Sequence, residues 1–181
     1  MRKTGVRTIA AIGIGSFLFF ILGEFVSLPS GISNTYISLQ YGLLAFVATF
    51  FGPAAGFLTG LIGHFLVDVL SNEEHIWWSW ITASAVFGSI IGLFANKVGL
   101  AGSEFEKKDI VKFNLGQIFA NLIAWVIVAP VLDIIMYGEY WAEAFKQGII
   151  CAGVNIVTTA VVGTLLCIVY VSTKSGKENE R

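Results

Sequence analysis

From Gly52 to Asp68, the residues Gly52, Gly56, Gly60, His64 and Asp68 occupy every fourth position of an otherwise apolar run. Residues four apart are neighbours on an α-helix, so the five form one slowly winding stripe. Small residues on such a stripe let another helix come close, and an ionisable pair in apolar surroundings must face a protein interior or a wet cavity. Pro53 stands at a helix start, where a missing N–H costs nothing. The stretch closes on Trp77, Trp78 and Trp80. The pattern predicts a buried polar site inside a closely packed, apolar structure.

The rest of the chain supplies that surrounding. Of 181 residues, 56% are hydrophobic and 13% charged, and the mean hydropathy is +0.79, far too apolar for an ordinary soluble domain of this length. The expected fold is an all-α integral membrane protein, a compact bundle of six transmembrane helices forming a single membrane domain over 1–181. Its spans are expected at about 8–26, 36–51, 53–70, 76–94, 113–136 and 144–170, with a connector at 96–112 and a charged tail at 172–181. The basic start and first apolar run read as a retained span, because no small-x-small cleavage site follows before Pro29. The segment from Glu24 to Asn34 is punctuated by Pro, Gly and Ser and reads as a loop, placed to close over a ligand.

Six spans put both termini on one side. Arg2, Lys3, Arg7, Lys97, Lys107, Lys108, Lys112, Lys174, Lys177 and Arg181 all fall on that side, leaving Lys146 opposite. By the positive-inside rule the terminal side is cytoplasmic, in a multi-pass protein of the cell membrane.

The candidate site residues lie toward the other side. His64 and Asp68 read as a ligand-contacting histidine oriented by a carboxylate, or as an interhelical hydrogen bond with no ligand. A charge at the bilayer centre costs about 2.5–3.5 kcal/mol on insertion scales, so such residues turn inward. Trp77 and Trp80 share a helix side and could wall a flat organic ligand, although an aromatic belt explains one or two of the three tryptophans. Asn114, Gln117, Asn121 and Trp125 form one face of the fifth span. Asn114 reads as interhelical glue; for Asn121, and for Asn155 on the sixth span, glue and substrate contact are both open. Asp133 reads as an interfacial acid or a ligand contact. Ala11 and Gly15 leave a face of the first helix with little bulk, suited to packing within the chain or to docking another membrane subunit.

Several chemistries have nothing to stand on. No long basic run suggests a nucleic-acid partner, and there is no phosphate-binding G-x-x-x-x-G-K-S/T loop, H-E-x-x-H or G-x-S-x-G. Cys151 and Cys167 lie sixteen positions apart on one helix, roughly 24 Å by helical rise, and cannot pair with each other. No enzyme activity, metal or cofactor is expected.

Taken together, F-G-P-A-A-G-F-L-T-G-L-I-G-H-F-L-V-D, W-W-S-W, N-L-G-Q-I-F-A-N, A-P-V-L-D-I and G-V-N-I resemble the substrate-binding S components of energy-coupling factor (ECF) transporters, in particular the riboflavin-type group and its uncharacterised relatives, over about residues 5–170. The resemblance implies a bacterial or archaeal membrane protein that captures a vitamin-like molecule from outside and delivers it inward with a transmembrane coupling subunit and two ABC-type ATPases. It implies docking of the coupling subunit on an A-x-x-x-A pattern, here Ala11 and Gly15. Riboflavin or another flat vitamin is the first expectation, with His64, Asp68, Trp77, Trp80, Asn121 and Asn155 as contacts. A tetrapyrrole (cobalamin or haem) with His64 as axial ligand comes second. An accessory subunit without a ligand, or a small intramembrane enzyme using His64 and Asp68, are readings of other classes.

Overall fold

The computed structural model describes residues 5–32, 35–71, 75–100 and 105–179. Among these, six helices account for most of the chain. They are α1 (Val6–Phe25), α2 (Gln40–Phe51), α3 (Pro53–Leu70), α4 (Trp78–Val98), α5 (Lys107–Tyr137) and α6, built from Trp141–Thr158, Thr159–Gly163 and Thr164–Asn179. Five are long and apolar enough to cross a bilayer; α2, at 12 residues, is shorter. Helices suit this composition because they satisfy every backbone polar group internally.

The polarity of the bundle is inverted relative to a water-soluble protein. Large apolar side chains such as Ile14, Phe17, Leu115, Phe119, Val157 and Leu165 are exposed, whereas Ser84, Gln117, Asn121, Asn155 and Thr159 are buried. The contact between α3 and α4 explains the glycine stripe. A Cβ on Gly56 would lie 2.3 Å from the Gly88 carbonyl oxygen, one on Gly88 2.2 Å from that of Gly56, and one on Gly60 2.4 Å from that of Ser84. The two backbones touch, and no side chain larger than hydrogen fits between them.

Three boundaries depart from expectation. The segment expected as a loop pairs into an antiparallel hairpin, β1 (Leu28–Ile32) with β2 (Thr35–Ile37), in which Leu28 faces Ile37 and Pro29 faces Tyr36. The second helix therefore starts at Gln40, whose N–H donates to Ser38 Oγ at 3.3 Å. The connector is shorter than predicted. Helix α4 runs on to a left-handed cap at Gly99 (φ 74°), and α5 already starts at Lys107, through a capping box in which the Glu106 N–H donates to Asp109 at 3.2 Å. Residues 101–104 of that connector lie outside the described residues, and the backbone of the charged tail continues α6 as far as Asn179.

Both long C-terminal helices contain π-helical stretches, Leu122–Val128 in α5 and Thr159–Gly163 in α6. The first lies directly before Pro130. A proline ring crowds the carbonyl four residues back, and the wider π turn accommodates it without ending the helix. The same turn brings the Trp125 carbonyl against α6, where a Cβ on Gly148 would lie 2.1 Å from it.

Candidate functional site

A cavity of about 680 Å³ opens at the end of the bundle where α1 and α3 finish and where α2, α4 and α6 begin. Of the described basic residues, Arg7, Lys97, Lys107, Lys108, Lys112 and Lys174 lie toward the opposite helix ends, and Lys146 lies on the cavity side. Tyr36 of the hairpin and Ser38 after it form part of the rim.

The walls arise from particular helix ends. Helix α3 gives His64, Val67 and Asp68, and the hydroxyl of Ser71, its C-cap, lies within hydrogen-bond reach of two acceptors, Glu24 at the end of α1 and the Val67 carbonyl at 2.6 Å. Asp68 accepts from the Trp77 N–H at 2.8 Å, and Tyr137 Oη from the Trp78 N–H at 2.9 Å. An acid from α3 and a phenol from α5 thus satisfy the first N–H groups of α4, whose N-cap residue, Trp77, has no side-chain acceptor to do so. Asp133, on α5, accepts from Ser79 Oγ and, at 2.9 Å, from the Trp80 indole N–H, which fixes that ring.

The expected His64–Asp68 pair is present in modified form. The Nε2 to Oδ1 separation is 3.6 Å, too long for a hydrogen bond. His64 is held instead through Nδ1, hydrogen-bonded to Ser84 Oγ at 2.6 Å, and Ser84 is in turn 3.2 Å from Tyr41 Oη. The buried serine on α4 is the stronger orienting group, and Asp68 serves chiefly as a cap.

Of the other predicted residues, Trp77, Trp80 and Asn155 line the cavity. Trp77 meets Tyr137 edge to face at 4.9 Å, and Trp80 lies 5.5 Å from the buried Trp125. Trp78 is half exposed and stacks on Phe65, as a belt residue would. Asn121 is not in the lining. It is fully buried and its amide donates to the Gln117 carbonyl and to Gln117 Oε1, both at 2.9 Å, while Gln117 donates to the Ile156 carbonyl at 3.2 Å and Asn114 to Thr164 Oγ1 at 3.2 Å. The amide face of α5 is a ladder facing α6, because the glycine-assisted approach of these helices turns it inward.

The two small residues of α1 differ in their surroundings within the chain. Gly15 is buried, with a would-be Cβ 3.2 Å from both Thr59 and Val47, so α2 and α3 of the same chain already cover it; Ala11 is half buried. The outward face of α1 carries Ile9, Gly13, Ile14, Phe17 and Leu18.

Sequence reasoning missed Gln40, Tyr41, Cys151 and the acids Glu24, Glu139 and Glu143 as wall residues. Gln40, near the start of a span, carried a signal, since a buried amide there needs a reason. Glu24, Glu139 and Glu143 look like ordinary loop and helix-start residues until the fold closes.

A family model described as "ECF-type riboflavin transporter, S component" matches residues 3–172. The chain belongs to this S component family. As a member it is a subunit of a transporter and not an enzyme, embedded in the membrane to capture a small molecule. Family membership implies a coupling subunit and ABC-type ATPases as partners. The chain is 45% identical over 175 residues to the UPF0397 protein of Enterococcus faecalis, and 42% identical over 176 residues to that of Staphylococcus aureus. Each alignment covers 97% of this chain and 95% of the relative.

Proposed function

We propose that this S component captures a flat, vitamin-sized molecule in the cavity between α1, α3, α4 and α6 and delivers it inward with a coupling subunit and two ATPases. The observation that carries the reading is the cavity itself. About 680 Å³ lies within the range of roughly 300–1,000 Å³ typical of small-molecule sites, and aromatic rings and hydrogen-bonding groups converge on it. Trp80, clamped by Asp133, offers a fixed aromatic surface, with Tyr41, Trp77, Gln40 and Asn155 around it. The charge distribution supports an outward-facing cavity with both termini in the cytoplasm, since basic residues gather at the other end.

Riboflavin and flat vitamins of its size fall within this reading. Haem fits it poorly, because the lining has no lysine or arginine for the propionates. No phosphate-binding loop is present to supply energy, so ATP must be used by partner subunits. The test is uptake into vesicles holding the chain with its coupling subunit and ATPases. Inward accumulation that needs ATP and falls on Trp80→Ala supports the reading; accumulation equal to that of vesicles lacking this chain overturns it.

A further inference from the structure

Resting on that capture reading, we infer that Tyr41 and Ser84 hold His64 as the tautomer with its proton on Nε2, and that this N–H binds a hydrogen-bond acceptor of the ligand, a carbonyl oxygen or an unprotonated ring nitrogen.

The close contact of α3 with α4 sets up the arrangement. Gly60 packs against the Ser84 carbonyl, so one helical turn further along α3 the His64 ring meets the Ser84 side chain, with Nδ1 2.6 Å from Oγ. The Ser84 hydroxyl has one proton and two neighbours, His64 Nδ1 and, at 3.2 Å, Tyr41 Oη. It has no further partner among the described residues, unlike Ser89, which donates back to the Ala85 carbonyl of its own helix.

These contacts leave the protons one consistent order. Tyr41 is 5% exposed and its phenol has Ser84 Oγ as acceptor, while the side-chain oxygen of the adjacent Gln40 accepts no bond. A buried donor without an acceptor is costly, so the phenol donates to Ser84. The serine proton then goes to its remaining partner, His64 Nδ1. A ring nitrogen that accepts carries no hydrogen, which places the proton of the ring on Nε2. The opposite order, with Nδ1–H donating to Ser84 and Ser84 to Tyr41, strands the phenol proton in an enclosed site. An imidazolium, which donates from both nitrogens, strands one of the two hydroxyl protons in the same way.

The surroundings of Nε2 agree with this order. Asp68 Oδ1 lies 3.6 Å away, and a carboxylate beside a ring nitrogen favours hydrogen on it, although the separation is too long for a direct hydrogen bond. Nε2 is not among the enclosed side-chain atoms that lack a partner, whereas Gln40 Oε1 and Trp125 Nε1 are. With His64 and Asp68 both on the wall, that N–H opens on the cavity. A donor there selects a ligand atom with a lone pair and disfavours a second N–H or an ammonium group. Ser84 is fully buried and outside the lining, so it is a positioning residue that acts on the ligand through His64.

The experiment uses the full chain in nanodiscs at neutral pH, with His75→Asn leaving His64 as the one histidine and with its ring nitrogens isotopically labelled. Nuclear magnetic resonance of the ligand-free chain should show hydrogen on Nε2 and none on Nδ1, and Ser84→Ala should remove that preference and populate both tautomers. Hydrogen on Nδ1, or on both nitrogens, in the chain that keeps Ser84 overturns the inference and leaves the capture reading intact. Adding an equimolar mixture of water-soluble vitamins should shift the Nε2–H resonance while Nδ1 stays bare. In chains that keep His75, native mass spectrometry should find the vitamin adduct retained by His64→Gln, whose amide N–H has a similar reach, and lost in His64→Leu. An adduct that forms with the resonance unmoved, or that His64→Leu retains, overturns the ligand contact. A folded chain that forms no adduct removes the capture reading and the ligand contact with it, while the spectrum of the free chain still decides the tautomer.

Discussion

Asp68 and Asp133 occupy places where an uncompensated carboxylate would be costly, and each is tied into the start of α4. Asp68 caps the N–H of Trp77, and Asp133 holds Ser79 and the Trp80 indole. Hydrogen bonds to a charged acceptor contribute about 1.5–3 kcal/mol each. Asp133→Asn should therefore lower stability by about 1–3 kcal/mol, read as a fall in the melting temperature in detergent, and should weaken ligand binding by freeing the Trp80 ring. An unchanged melt would remove Asp133 from its structural role. His64→Ala should weaken ligand binding by about tenfold, with a smaller effect on the melt, because His64 lines the cavity and takes its orientation from Ser84. Equal affinity in titrations of the two proteins would place the ligand elsewhere. None of these partnerships could be read from spacing: Ser84 lies 20 positions from His64, and Asp133 lies 54 from Ser79 and 53 from Trp80, and only the closed bundle brings them together.

At the level of helices, local patterns were more legible. Pro53 opens α3, and the stripe from Gly56 to Asp68 predicts both a close partner helix and a polar end, because helical period and residue size are properties of the sequence itself. Which helix packs against which stripe is not, and Gly15 illustrates the difference. Its smallness was legible, but whether it served the chain's own packing or a partner depended on Thr59 and Val47. The β-hairpin was hidden because Leu28–Ile32 contains Pro29, Ser30 and Gly31, residues typical of loops, and the π stretches were hidden because their pattern differs little from an α-helix. Leucine at Gly88 must push against the Gly56 backbone, which cannot rotate away, whereas a Cβ at the exposed Gly13 meets nothing within 4 Å. Gly88→Leu should cost about 1–3 kcal/mol or prevent folding, while Gly13→Leu leaves the melt of the isolated chain unchanged. Comparable melts for the two would contradict the packing of α3 on α4.

For the molecule as a whole, an apolar flank, a basic end and an acid-lined cavity at the other end describe a body that lies across a bilayer. The composition made the membrane location legible in the sequence, whereas the depth and acidity of the cavity required six helices to converge. After replacing Cys151 and Cys167, a cysteine at Glu139 should react with a membrane-impermeant maleimide in intact cells, and one at Lys108 only after permeabilisation. Reversed labelling would turn the molecule over and remove capture from outside. The most direct measurement is native mass spectrometry of the chain released from membranes after exposure to an equimolar mixture of water-soluble vitamins. The account predicts a single adduct of one small molecule per chain, lost when Trp80→Ala is combined with Gln40→Leu. A folded chain that carries no adduct, or an adduct indifferent to those changes, would contradict it.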